Sequence, residues 1–171
     1  MAPYGYDYRE AGEDDGETLW RFLAIAAYEA DESAARRVPI VAAHLNGWRR
    51  RGDFGVIAQS AGRPVGAVWA RQFDPSENPA IFAGAKTPEI SLAVLAAERG
   101  KGVGLALLRR LETMAWQKGL DGLCLTVRDG NPAIRLYERA GYRLIGGSAL
   151  PNRAGGLSFG MALGVADAPP K

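Results

Sequence analysis

Three glycines alternate with cationic and apolar residues in the segment Arg99-Gly100-Lys101-Gly102-Val103-Gly104. The segment follows an apolar run, Leu92 to Leu95, and precedes residues with helical spacing. A chain of this kind leaves a strand, turns, and starts a helix. The first N–H groups of a helix have no internal acceptor, and the helix dipole adds partial positive charge there. Glycine lets the backbone approach a ligand closely and adopt positive φ. The chemistry predicted is a cradle for a phosphate, with Arg99 and Lys101 adding positive charge beside it. From three glycines alone, a turn that only caps a helix fits as well. The preceding strand and the long amphipathic helix that follows are what an anion cradle requires. Residue types remove two common ligands. The dinucleotide fingerprint G-x-G-x-x-G needs glycine at 105 or 107, where Leu105 and Leu107 stand. The nucleotide-triphosphate loop needs Ser or Thr after Gly-Lys, whereas Gly102 follows Gly100-Lys101.

The other reactive side chains are few. Cys124 is the single cysteine, in an alternating strand with no histidine near it in sequence, so a core thiol is favoured over an acyl-carrying nucleophile. It excludes an intramolecular disulfide, and with the single histidine, His44, it excludes a typical zinc site. No metal is expected. His44 reads as a surface or packing residue. Trp48-Arg49-Arg50-Arg51 reads as a solvated helix end, where cations are favoured. Tyr137 shares a helical face with Ala133, Ile134 and Ala140, so the burial pattern alone makes it a core aromatic.

The elements that must position these residues follow from periodicity. Tyr6 to Arg9 is a short strand. Glu17 to Glu29 is a helix with Leu19, Phe22, Leu23, Ala26 and Ala27 at helical spacing. Asp31 to Val38 is a polar break, and Val41 to Arg51 a shorter helix. At Phe54 the period becomes two: Phe54 to Gln59 and Val65 to Phe73 form a hairpin around Ala61-Gly62-Arg63-Pro64. A long loop from Gln72 to Pro88 carries Pro75, Pro79 and Pro88, and loops of this length are usually functional or mobile. Glu89 to Leu95 is a strand. Gly102 to Lys118 is a helix with a buried stripe of Val103, Leu107, Leu108, Leu111, Met114 and Ala115, ended by Gly119. Leu123 to Val127 is a strand. Asn131 at the N-cap and Pro132 at the first helical position open a helix that ends at Ala140-Gly141. Tyr142 to Ile145 and Leu157 to Leu163 are final strands, with a Gly/Pro-rich loop between them.

This order predicts an α/β (α+β) fold: a mixed, mostly antiparallel sheet of about six to seven strands flanked by about four helices. The length, 171 residues, suits one domain, expected over residues 1–165, with a loose tail from Ala166 to Lys171. A net charge of +2, spread along the chain, argues against nucleic acid or an anionic membrane as the main partner. Met1 to Glu10 lacks the basic and apolar regions of a signal peptide, and no apolar run approaches the ~20 residues needed to cross a bilayer. A soluble cytoplasmic protein is expected.

Arg99-Gly100-Lys101-Gly102-Val103-Gly104 resembles the R/Q-x-x-G-x-G/A motif of the GNAT N-acetyltransferase superfamily. Leu92-Ala93-Val94 and the stretch Asn131 to Tyr142, NPAIRLYERAGY, are similar to two further blocks of that family. The element order matches too, so the resemblance spans nearly the whole chain. Ala96 departs from it, since many members have proline there, which alters loop stiffness without removing a ligand.

The resemblance implies acetyl-CoA as cofactor and an amine as acceptor, with direct transfer in a ternary complex. It implies that the backbone of Leu92, Ala93 and Val94 pairs with pantetheine, in a gap where this strand splays from its neighbour. The Val94 N–H would then stabilise charge on the thioester carbonyl. The N–H groups from Gly100 through Lys101, Gly102, Val103 and Gly104 to Leu105 would hold the pyrophosphate, with Asn131 contacting the cofactor from the next helix start. Tyr137 matches the family tyrosine that protonates the departing thiolate. Glu89 is the candidate base for the amine, with a solvated strand-end carboxylate as the alternative. Some members place a glutamate on the next strand, where Thr126 stands here, and a threonine cannot fill that role. Acceptor specificity would come from Trp20 to Arg51, Arg71 to Pro88 and Gly146 to Gly156, with Tyr28, Glu29, Trp69 and Phe82 as candidate pocket residues. A sensor or scaffold that binds acyl-CoA without turnover is the second expectation, and an enzyme using a longer acyl-CoA the third. The oligomeric state is expected to be monomer or homodimer, by fold analogy.

Overall fold

The change of period at Phe54 marks where helices give way to sheet. A computed structural model describes residues 5–164. They form, in chain order, β1 (Asp7–Glu10), α1 (Gly16–Ala26), α2 (Glu32–Arg37), α3 (Pro39–Ala42), β2 (Phe54–Ser60), β3 (Arg63–Arg71), β4 (Glu89–Val94), α4 (Val103–Gln117), β5 (Gly122–Arg128), α5 (Ala133–Ala140), β6 (Arg143–Leu144), β7 (Leu150–Pro151) and β8 (Leu157–Gly164). The sheet is mixed and mostly antiparallel, as expected; its eight strands and the five helices exceed the expected numbers by short elements such as α2 and β7. The tail from 166 to 171 lies outside the described residues.

The chain falls into two compact units, residues 5–71 with 91–111, and residues 72–90 with 112–164. In the first, β1, β2 and β3 are joined in antiparallel ladders, and β4 follows β3 in the order. Ala61 and Gly62 close the β2–β3 hairpin with positive φ, 48° and 75°, the twist that a two-residue loop needs. The register slips between Ala58 and Gln59, opposite Pro64. Proline has no N–H to give the ladder, and a bulge is one of the few places a strand tolerates it. Gly55 faces Trp69 across the ladder, and a Cβ there would lie 2.8 Å from Trp69 Cβ. Trp69 is thereby seated in the core with Leu19, Phe22, Leu23, Val41, Leu45 and Ile57. Its Nε1 donates to the His44 carbonyl at 3.0 Å. Trp69 is a core residue and not the pocket residue expected.

Two helical expectations in this unit are corrected. Residues 31–38 are not a plain polar break, because Asp31 caps α2 by accepting from the Ala34 N–H at 2.7 Å. The helix is six residues long with only Ala35 buried, too short to display a period. The helix expected over 41–51 is instead the four-residue α3, which starts earlier at Pro39 and gives way to turns. Gly47 and Arg49 take positive φ. The Ala43 and Asn46 carbonyls accept from Arg71 Nη1 at 2.8 and 2.6 Å. Arg71 also donates to both oxygens of Asp53, at 3.1 and 2.6 Å, and both side chains are almost wholly buried.

In the second unit, β4 pairs with β5 in parallel, registered at Glu89 opposite Cys124, and β5 pairs antiparallel with β8, which carries β6 and β7. The loop 72–88 is tied down. Gln72 Nε2 donates to the Gly84 carbonyl at 3.1 Å, and the Lys86 carbonyl accepts from the Asp121 N–H at 2.9 Å. Helix α5 starts one residue later than expected, with the Asn131 side chain accepting from the Ala133 N–H at 2.9 Å. Gly141 ends it at φ 103°.

Asp53→Ala would leave the Arg71 guanidinium buried without its counter-charge. The expected cost is about 3–5 kcal/mol of unfolding free energy, measured by urea denaturation; a loss below about 1 kcal/mol would show that the carbonyls of Ala43 and Asn46 suffice.

Candidate functional site

The cradle is built from the end of β4 and the start of α4. After Val94, the Leu95 N–H bonds to the Val65 carbonyl at 2.9 Å, and a 3-10 turn over Ala96–Glu98 leads into the glycines. Gly100 and Gly102 take φ of 75° and 84°, a backbone that side chains disfavour. The first helical bond runs from the Ala106 N–H to the Gly102 carbonyl at 3.1 Å. The N–H groups of Val103, Gly104 and Leu105 therefore lie ahead of the helical ladder with no acceptor inside the helix. Val103, Leu107, Leu108 and Leu111 are buried and fix the direction of this end. Gly66 of β3 permits the packing: a Cβ there would lie 3.1 Å from Leu107 Cδ1 and 3.2 Å from the Ala93 carbonyl oxygen.

The charge beside the cradle is less positive than the sequence suggested. Lys101 Nζ donates to Glu98 Oε2 at 3.0 Å, and the Tyr6 hydroxyl donates to the same oxygen at 2.5 Å. The Tyr6 bond first, and then Lys101, hold the Glu98 carboxyl below the usual carboxylate range. Glu98 in turn raises the Tyr6 phenol and the Lys101 ammonium. Arg99 Nε donates to the Val94 carbonyl at 3.0 Å, so its side chain folds back on the strand.

In the other unit, Glu89 opens β4 and is 4% exposed, which rules out the solvated carboxylate considered from sequence. Its Oε1 accepts from Thr126 Oγ1 at 2.9 Å. Cys124, on the same strand as Thr126, is 1% exposed and donates to the Thr87 carbonyl at 3.4 Å. Burial, and then the Glu89 charge, push its thiol up to about 12. Tyr137 is buried in α5, its ring edge-on to Tyr142 with centroids 5.9 Å apart.

Of the residues expected to act, Leu92, Ala93, Val94 and 99–105 come together at the β4–α4 turn. Asn131 accepts from the first N–H of the helix that carries Tyr137, and Glu89 stands with Thr126 and Cys124. Sequence reasoning missed Tyr6 and Glu98 as partners of Lys101, and it treated Thr126 only as a lost carboxylate. Glu98 lies three residues before Lys101 and was locally readable; Tyr6 is 92 residues from Glu98 and carried no signal.

A model of the acetyltransferase (GNAT) family matches residues 17–142. The chain belongs to that family. Solved structures share the fold. That of yncA from Salmonella typhimurium, with its cofactor acetyl-CoA, is 21% identical and covers 98% of each chain with a TM-score of 0.72. Ribosomal-protein-alanine N-acetyltransferase from Brucella melitensis is 23% identical over 92% of this chain and 99% of its own, with a TM-score of 0.70. A spermidine N-acetyltransferase chimera from Vibrio cholerae and hSSAT is 16% identical over 96% of this chain and 98% of its own, with a TM-score of 0.69. No curated protein matches the chain in sequence. Among the described residues, no helix is long and apolar enough to cross a membrane.

A thiol this buried and this weakly acidic should resist modification. In native protein at about pH 8, iodoacetamide should leave Cys124 unmodified over a period that fully labels the urea-unfolded chain, read by mass spectrometry. Equal labelling rates would put a reactive thiolate at the surface and reopen an acyl-enzyme route.

Proposed function

We propose that the chain transfers the acetyl group of acetyl-CoA to an amine by direct attack in a ternary complex. The observation that carries this reading is the make-up of β4, which begins on a buried carboxylate, Glu89, and runs into a glycine turn with outward N–H groups. Family membership supports acetyl transfer in general.

The cradle fits a diphosphate. A Cβ at Gly100 would meet nothing within 4 Å, so the space beside that turn is open. When bound, acetyl-CoA supplies an activated acyl group and a thiolate leaving group. The N–H groups of Gly100, Lys101, Gly102, Val103, Gly104 and Leu105 hold the pyrophosphate, aided by the charge of Arg99 and Lys101. The backbone of Leu92, Ala93 and Val94 orients pantetheine, and the Val94 N–H faces the carbonyl where negative charge develops. The Asn131 carboxamide oxygen is committed to Ala133, which leaves its Nδ2 to reach the cofactor. Glu89 takes one proton from the incoming ammonium, leaving a neutral nitrogen. Tyr137 delivers a proton to sulfur as the C–N bond forms and the C–S bond breaks, and the second amine proton restores the phenol.

The test is thiol release from acetyl-CoA with a panel of spermidine, free amino acids and an alanine-terminated peptide. At least one amine should turn over, and CoA should raise the melting temperature. Tyr137→Phe and Glu89→Gln should each lower kcat about a hundredfold with little change in CoA affinity. Stabilisation by CoA without thiol release would favour binding without turnover; neither effect would overturn the reading.

A further inference from the structure

We propose that Thr126 is a positioning residue for the reaction, holding the Glu89 carboxylate in place through its hydroxyl. This rests on the reading of Glu89 as the base. The parallel register sets Glu89 opposite Cys124, and side chains two apart on a strand share a face. Thr126 therefore points to the Glu89 side of the sheet. A threonine hydroxyl cannot serve as a base near neutral pH, but it can donate to a carboxylate, and here it does at 2.9 Å. Being β-branched, threonine is stiff at χ1, so the hydroxyl is held in one direction.

The surroundings shield this bond in part from water. The cross-strand neighbour of Thr126 is Gly160 of β8. A Cβ at Gly160 would collide with Ile81 Cδ1, and Ile145 Cδ1 would lie 3.3 Å from it. The missing side chain thus admits two isoleucines from outside β5 and β8 beside Thr126, and a hydrogen bond partly shielded from water is stronger than a fully exposed one. Cys124 and Arg128 share that face of β5 with Thr126, and the weakly acidic Cys124 thiol adds no negative charge to it. The hydroxyl thus orients the carboxylate in place of a second acid at this position.

A double-mutant cycle on turnover tests this, using acetyl-CoA and the panel amine that releases thiol fastest. Thr126→Val should lower kcat about tenfold or more without changing the KM for acetyl-CoA. Thr126→Ser should restore most of the rate, because it keeps the hydroxyl. In a Glu89→Gln background, Thr126→Val should have little further effect. Thr126→Ala replaces the valine variant if the latter does not fold. An equal loss in both backgrounds, or a serine variant as impaired as the valine one, would overturn the positioning role while leaving Glu89 as base. A Glu89→Gln enzyme with full activity would overturn the base itself. Failure of every amine would overturn the proposed function and this role with it.

Discussion

Gly102 sits at φ 84°, and the course of the chain from β4 into α4 turns on that value. A residue with a side chain resists this conformation. With glycine, the chain reverses between Val94 and Val103, and the first free N–H groups of a fifteen-residue helix open beside the strand end. The buried stripe of α4 then fixes their direction. Gly66 completes the arrangement by letting β3 lie close to both β4 and α4. The cradle is thus a product of backbone geometry, and its charged side chains are secondary. Lys101 is already shared with Glu98, and Arg99 is turned to a carbonyl of its own strand.

A second theme is the pairing of polar groups that burial has removed from water. Asp53 and Arg71 neutralise one another, and Arg71 gathers the carbonyls left over where α3 stops short. Glu89 is likewise buried, and its Oε1 accepts from the Thr126 hydroxyl. An ion pair suits structure, because it holds the charge fixed.

Much of this was legible in the sequence where a pattern is long or chemically specific. The apolar stripe of α4, the Ala61-Gly62 turn and the glycine turn before α4 all declared themselves locally. Helix α2 did not, since six residues with a single buried alanine carry no period. Helix α3 came out shorter because its neighbouring carbonyls are claimed by Arg71, more than twenty residues away. Thr126 looked like a lost carboxylate until the β4–β5 register set it beside Glu89. Partners brought together from distant parts of the chain, like Thr126 and Glu89 or Tyr6 and Glu98, have no signature in sequence spacing.

The central claim, that the backbone N–H groups between Gly100 and Leu105 hold the pyrophosphate of coenzyme A, is tested most directly by calorimetric titration of CoA into the wild type, Gly102→Asn and Gly102→Asp. Asn and Asp tolerate positive φ about equally well and have nearly the same shape, so they differ mainly in charge. The aspartate should weaken binding about tenfold or more relative to the asparagine, because it sets a negative charge against the phosphates. Wild-type affinity in the aspartate variant would contradict the account and place the pyrophosphate elsewhere.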